Sequence, residues 1–198
     1  MSEFNPIGQN PFDIFDQWMI DAKREEPNNP NAMCLSTVSA DGKPSSRMVL
    51  LKEYSADGFV FYTNSQSRKG GELSANPNVA LNLYWKTFQR QVRIEGMVEI
   101  VPRDMTQAYF NSRYRGSQIA SYASKQSTPL PDKSVYEARI AELEKQFEGI
   151  HEIPCPDHWN GYRVKPKMIE LWVEGEFRTH DRFVFRVESD WSAERLYP

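Results

Sequence analysis

From residue 11 the apolar positions Phe12, Phe15, Met19 and Ala22 recur at helical spacing. The residues beside them suit a helix start, with Asn10 as N-cap, Pro11 in the first turn and Asp13 at the positive end of the helix dipole. The pattern predicts an amphipathic helix over 11–25. From 32 to 101 it changes to short runs rich in Val, Leu, Ile, Phe and Tyr: AMCLSTVS, SRMVLLKEY, FVFYT, NVALNLYW and RQVRIEGMVEIV. These read as about five strands, with Asp41-Gly42 and Asp57-Gly58 as hairpin turns. Successive hairpins imply an antiparallel meander, and the strand spacing favours a barrel or a sandwich.

Three helical stretches interrupt or follow this meander. Ser67 to Ala75 reads as a short helix stopped by Asn76-Pro77. After Pro102 a helix over 103–113 would present Met105, Ala108, Tyr109 and Ser112 on one face. A third, from about Ser134 to Phe147, has Ser134 and Glu137 at capping-box spacing, an apolar stripe of Tyr136, Ile140, Leu143 and Phe147, and Gly149 as a stop. The tail returns to strands in GYRVKP, KMIELWV and RTHDRFVFRV. The fold class is therefore mainly β with flanking helices (α+β), and 198 residues suit one domain over 1–198, with the strands of about 160–198 in the same unit.

Charge narrows the function. The chain has 24 Lys plus Arg against 27 Asp plus Glu, a net charge of −3, which argues against a nucleic-acid binder held by phosphate-backbone attraction. The total hides an uneven spread: residues 1–30 hold six acids and two bases, whereas 86–93 and 111–125 hold three bases each and no acid. Apolar runs never exceed four residues, so no membrane-spanning helix is expected. MSEFNPIGQN lacks the basic and apolar regions of a secretion signal. Cys34 and Cys155 form no CxxC pattern, and the expected location is the cytoplasm.

Several groups could carry chemistry. Arg68 and Lys69 stand at the positive end of the 67–75 helix, which costs up to about 1 kcal/mol each unless an anion binds; Gly70 and Gly71 would let a phosphate approach the backbone. Solvated surface cations are the plainer alternative. Arg178, His180 and Arg182 alternate, so a strand would put all three on one face, needing a carboxylate or an anionic ligand, or else forming a charged edge. Tyr109 and Arg113 stand at i and i+4, and Ser117 after Gly116 could cap a following helix, giving a phosphate pocket. Arg47 and Lys52 flank MVLL and would point to opposite faces of a regular strand, beyond joint reach of one small group without a bulge or second subunit. Gln91 shares a face with Arg93 and could read a heterocycle edge. His151, Cys155 and His158 lack a fourth ligand, so no metal site is expected. With no nucleophile or metal motif present, chemistry would belong to an organic cofactor.

RMVLLK at 47–52, FYTNSQSRKG at 61–70, RQVRIEG at 90–96, YFNSRYRGSQI at 109–119, SKQS at 124–127 and ELWVEGEFRTHDRF at 170–183 resemble, in order and spacing, the pyridoxamine 5′-phosphate oxidase family. The likeness runs from the first helix to the terminal RLYP. It implies an antiparallel FMN-binding split β-barrel, homodimeric, with two sites at the subunit interface. It further implies that FMN meets Arg47, Met48, Val49, Leu50, Leu51 and Lys52, then Tyr62, Thr63, Arg68 and Lys69, and finally Gln91, Gln126, Ser127, Trp172 and Arg182. The substrate phosphate would meet Lys52, Tyr109, Arg113 and Ser117, while Arg178 and His180 align the pyridine ring as the catalytic pair.

The implied reaction is oxidation at C4′ of pyridoxine or pyridoxamine 5′-phosphate by FMN, followed by reoxidation with O2 to give H2O2. Two departures stand out. Only MSEFNPIGQ precedes the first helix, so an N-terminal lid is not expected, and Thr179 is polar where relatives often carry an apolar residue. Two other readings compete: a split-barrel flavin reductase acting on another substrate, and a non-enzymatic carrier of flavin or pyridoxal phosphate.

Overall fold

The computed structural model describes residues 4–198. Residues 1–3, part of the segment read above for a secretion signal, lie outside the described residues. Helix α1 spans Pro11–Glu25, with the Asn10 side chain accepting from the Phe12 N–H as predicted. Strands follow as β1 (Ala32–Val38), β2 (Pro44–Leu50), β3 (Glu53–Ser55) and β4 (Gly58–Asn64), then helix α2 (Arg68–Ala75), β5 (Asn78–Trp85) and β6 (Arg90–Ile100). Helices α3 (Arg103–Asn111), α4 (Arg115–Ala123) and α5 (Lys133–Gln146) precede β7 (Trp159–Val173), β8 (Asp181–Arg186) and β9 (Ala193–Leu196).

All strand pairs are antiparallel, in the order β2-β1-β5-β6-β7-β4-β3. The sheet forks at β7, whose first half pairs with β4 and whose second half pairs with β8, which in turn carries β9. Forking and twist curl the sheet around a core that α1 closes with Phe15, Trp18, Met19 and Ala22 against Phe59, Phe61, Leu83 and Phe183. A second core, built on Phe110, Ile119, Leu143, Phe147 and Trp159, packs α3, α4 and α5 together.

The structure revises several expectations. SRMVLLKEY is two strands, because the chain leaves the ladder at Leu51 and Lys52 before β3. GYRVKP and KMIELWV form one strand, continuous through Pro166 beside a register shift between Glu95 and Gly96. There a Cβ on Gly96 would stand 2.1 Å from the Lys165 carbonyl oxygen, so only glycine permits the approach. Helix α3 ends at Asn111 and buries Thr106 and Phe110, not the Ala108 and Ser112 face. Arg113 therefore stands beyond the helix. Helix α4 starts at Arg115, so Ser117 sits inside its first turn and does not cap it. Asp132 caps α5 by accepting from the Ser134 N–H, and Glu137 pairs with Lys133 at 3.1 Å instead of closing a capping box.

Candidate functional site

The end of β2, the β2–β3 connection, β4 and helices α2 to α5 enclose a cavity of about 480 Å3. Met48, Val49 and Leu50 form one wall at the end of β2, and Lys52 enters because the strand has ended. This resolves the Arg47 and Lys52 puzzle: the two do not share a strand, and only Lys52 faces the cavity. Opposite stands an aromatic wall of Tyr62, Tyr109 and Trp159. Tyr62 and Tyr109 stack with centroids 4.1 Å apart at 14°, and Trp159 lies 5.3 Å from Tyr62 at 10°. Burial first, then the hydrogen bond to Glu53 at 3.0 Å, pushes the Tyr62 phenol up, so it stays neutral.

Among the described residues three cations line this space, Lys52, Lys69 and Arg113, and no carboxylate does. Lys52 Nζ lies 5.6 Å from the Tyr109 ring centre, and the Arg113 guanidinium lies 4.8 Å from that of Trp159 while donating to Ser121 Oγ at 2.7 Å. Lys69 is buried at the head of α2, where the Ser67 hydroxyl caps the helix, and donates to Gln126 Oε1 at 2.7 Å. Thr63 Oγ1 reaches the same oxygen at 3.4 Å. Burial, with the Arg47 charge second, lowers the Lys69 pKa to about 8, against a partial offset from Glu72. Ser117 also lines the cavity.

The remaining expected residues lie elsewhere. Arg47 and Arg68 both bind Glu72, each at 2.9 Å. Burial opposes the Glu72 charge, but hydrogen bonds from Thr37, Ser45, Arg68 and Arg47 outweigh it and hold the carboxyl at about 2. Its contribution to the fold is thus present above the ordinary value of 4.5 and is lost as pH falls toward about 2. Leu51 is core, and Ser127 is exposed in left-handed backbone at φ 72°.

A second cluster forms where β6, β7 and β8 meet. Gln91 pairs in register with Trp172, and Trp172 with Arg182. The Trp172 and His180 rings lie 4.7 Å apart. Arg182 donates to Glu170 through Nε and Nη2, both at 3.1 Å, and Arg93 binds the other oxygen of this buried carboxylate at 3.0 Å. None of Gln91, Trp172, Arg178, His180 or Arg182 lines the cavity of their own chain.

The one-face strand expected for Arg178, His180 and Arg182 is not there. Glu176–Arg178 form a 3-10 turn with φ 53° at Phe177 and 66° at Arg178, and β8 begins only at Asp181. A Cβ on Gly175 would lie 2.0 Å from the Thr179 carbonyl oxygen, which is how tightly the loop folds back. The Gly175 N–H donates to His180 Nδ1 at 3.2 Å. A neutral His180 therefore carries its proton on Nε2, leaving that atom as the donor.

Sequence reasoning missed Trp159, Tyr136, Asn64, Ser121 and Ser124 in the cavity lining. Tyr136 was visible only as part of a helical stripe, and Trp159 lies just outside the expected strand. Glu72 did leave a signal, its i+4 spacing from Arg68. Among the described residues no three His, Cys, Asp or Glu gather as metal ligands; His158 Nε2 lies 3.1 Å from the Ser121 carbonyl oxygen, and the Cys155 thiol contacts the Pro156 and Trp159 carbonyls.

A forked, curled antiparallel sheet with helices at one end defines the split-barrel class. A solved structure of PhzG from Burkholderia lata 383, in complex with tetrahydrophenazine-1-carboxylic acid, matches with a TM-score of 0.87 at 30% identity, covering 96% of this chain and 93% of that one. An FMN binding protein from Nostoc punctiforme PCC 73102, related to pyridoxamine 5′-phosphate oxidase, shares the fold with a TM-score of 0.75 at 15% identity, all of both chains being covered. The family model described as pyridoxamine 5′-phosphate oxidase matches residues 19–147, and that of the pyridoxine 5′-phosphate oxidase C-terminal dimerisation region matches 159–198.

Relatives named pyridoxine/pyridoxamine 5′-phosphate oxidase include one from Caulobacter vibrioides, 52% identical over 96% of this chain and 86% of that protein. Another, from Sphingopyxis alaskensis, is 49% identical over 97% and 89%. The chain belongs to the pyridoxamine 5′-phosphate oxidase family and is an oxidoreductase. Among the described residues no helix is long and apolar enough to cross a membrane.

Proposed function

We propose that this protein is a homodimer that uses FMN to oxidise pyridoxine 5′-phosphate and pyridoxamine 5′-phosphate to pyridoxal 5′-phosphate, in the cytoplasm. The observation that carries the reading is a cavity lined, among the described residues, by three cations and an aromatic wall but no acid. Such lining suits flat aromatic molecules bearing phosphate dianions and repays the desolvation of Lys69 only when an anion arrives. The donor set fits FMN: Lys69, Thr63 and Gln126 offer charge and hydrogen bonds to its phosphate end, and the Met48 to Leu50 edge offers an apolar wall. Bound FMN supplies a two-electron acceptor that passes electrons to O2.

The chain's own residues bind and orient. Lys52, Arg113 and Ser117 neutralise and hydrogen-bond the substrate phosphate, with Arg113 fixed by Ser121 and Trp159. Tyr62, Tyr109 and Trp159 exclude water from one side of the ring. Gln91, Trp172, Arg178, His180 and Arg182 serve the cavity of the partner subunit, a reading supported by their absence from their own cavity and by the dimerisation-region match over the four that follow residue 159. His180 then offers its Nε2 proton to the pyridine substituents and Arg178 its guanidinium. The alcohol substrate and O2 give pyridoxal phosphate and H2O2; the amine consumes one water and also releases ammonia.

The test is an absorbance spectrum of the purified protein, then O2 uptake with each vitamer. A yellow protein that makes H2O2 with the phosphorylated vitamers supports the reading, and an FMN-loaded dimer inert toward both contradicts it. Flavin that stays oxidised on anaerobic addition of pyridoxine phosphate would indicate a carrier. Turnover that survives loss of Tyr109, Arg113, Arg178 and His180 would indicate a reductase with another substrate.

A further inference from the structure

Glu72 is buried and does not line the cavity, yet it joins the two elements that shape the cavity's cationic end. Its Oε2 accepts from Thr37 Oγ1, Ser45 Oγ and Arg47 Nη2 at 2.5, 2.7 and 2.9 Å, and its Oε1 accepts from Arg68 Nε at 2.9 Å. Arg47 opens the RMVLLK wall on β2, and Arg68 heads α2 beside Lys69. The grip on Arg68 uses only Nε, leaving both Nη groups without another hydrogen bond among the described residues. A buried carboxylate with all its partners in place fixes such elements rigidly.

We propose that Glu72 is a positioning residue for the FMN phosphate: it docks the head of α2 on β2 through Arg47 and Arg68, and its negative charge offsets that of Arg47 at Lys69. The inference rests on the reading that FMN occupies this cavity. Lys69 faces Arg47 from β2 and Glu72 from its own helix, while from the segment after α4 neutral Gln126 accepts its hydrogen bond. Lys52 and Arg113 are the other charges of the cavity lining. Removing the Glu72 charge leaves Lys69 with desolvation and cationic neighbours alone, so its proton is lost at lower pH.

The test is fluorescence titration of FMN into flavin-stripped wild-type, Glu72→Gln and Glu72→Asp proteins from about pH 6 to about pH 9, with melting curves to verify the fold. Glu72→Gln is expected to bind FMN about tenfold more weakly near pH 8, its affinity falling away about one pH unit earlier than that of wild type. Glu72→Asp keeps the charge but withdraws the carboxylate; it is expected to lose affinity several-fold with the wild-type pH midpoint, and it carries the test if the Gln variant does not fold. A folded Gln variant, or an Asp variant, with wild-type affinity and pH profile overturns the role of Glu72 while leaving the cavity reading intact. Wild-type protein that binds no FMN at any pH overturns both.

Discussion

Two kinds of cation stand around the cavity and the β6–β7–β8 cluster. Lys52, Lys69 and Arg113 line the cavity with no carboxylate within ion-pair distance among the described residues, whereas Arg93 and Arg182 clamp Glu170, and Arg47 and Arg68 clamp Glu72. The first kind faces open space with its charge unanswered by an acid; in the second, a buried carboxylate already neutralises part of the charge and ties strands and helix heads together. A cation lacking an internal partner near a hollow is therefore a better guide to a ligand than a cluster of cations as such.

This contrast can be broken at several points. Arg113→Ala should cost about 3 kcal/mol, roughly a hundredfold in kcat/KM, if the proposed charge-assisted contact to the substrate phosphate is lost; unchanged steady-state kinetics would show that Arg113 makes no such contact. Lys69→Ala should weaken FMN by roughly 1.5–3 kcal/mol, measured by flavin titration. In the wild type, FMN favours charged Lys69, so affinity should be full below pH about 8 and decline as pH rises past it, by up to about tenfold per unit. A flat profile would show that Lys69 does not meet the phosphate.

Arg178→Ala should lower turnover by about an order of magnitude or more with FMN retained, as the proposed role of aligning substrate without holding cofactor requires. The smallest effect is expected at Phe177, 96% exposed and left-handed in the single chain. Phe177→Gly should relieve about 1 kcal/mol of backbone strain and raise the melting temperature slightly. A fall would place the Phe177 ring in the dimer interface.

Local chemistry made much of the fold legible in the sequence. The Asp-Gly turns, the Asn10 cap, the Ser67 start of α2 and its stop before Pro77 each depend on neighbours within a few residues, and the structure reproduces them. The resemblance pointed to the right family and the split barrel. Alternation misled at Arg178, His180 and Arg182, because the left-handed turn there uses Phe177 and Arg178, residues that give no local warning. The Arg47–Glu72 contact spans 25 residues of sequence and needs the β1–β2 hairpin to lie against α2, so no window of sequence displays it.

On the proposed reading, each functional site combines the cavity of one chain with the Arg178–His180 loop of another. Mixed dimers test it most directly. Chains carrying Arg113→Ala alone and Arg178→Ala with His180→Ala alone should each be nearly inactive. Unfolded and reassembled together in equal amounts, they should recover about a quarter of wild-type activity, because half the dimers are mixed and one of the two sites in each is intact. Activity that stays at the level of the separate variants would contradict the shared site and place all of these residues in the service of a single chain.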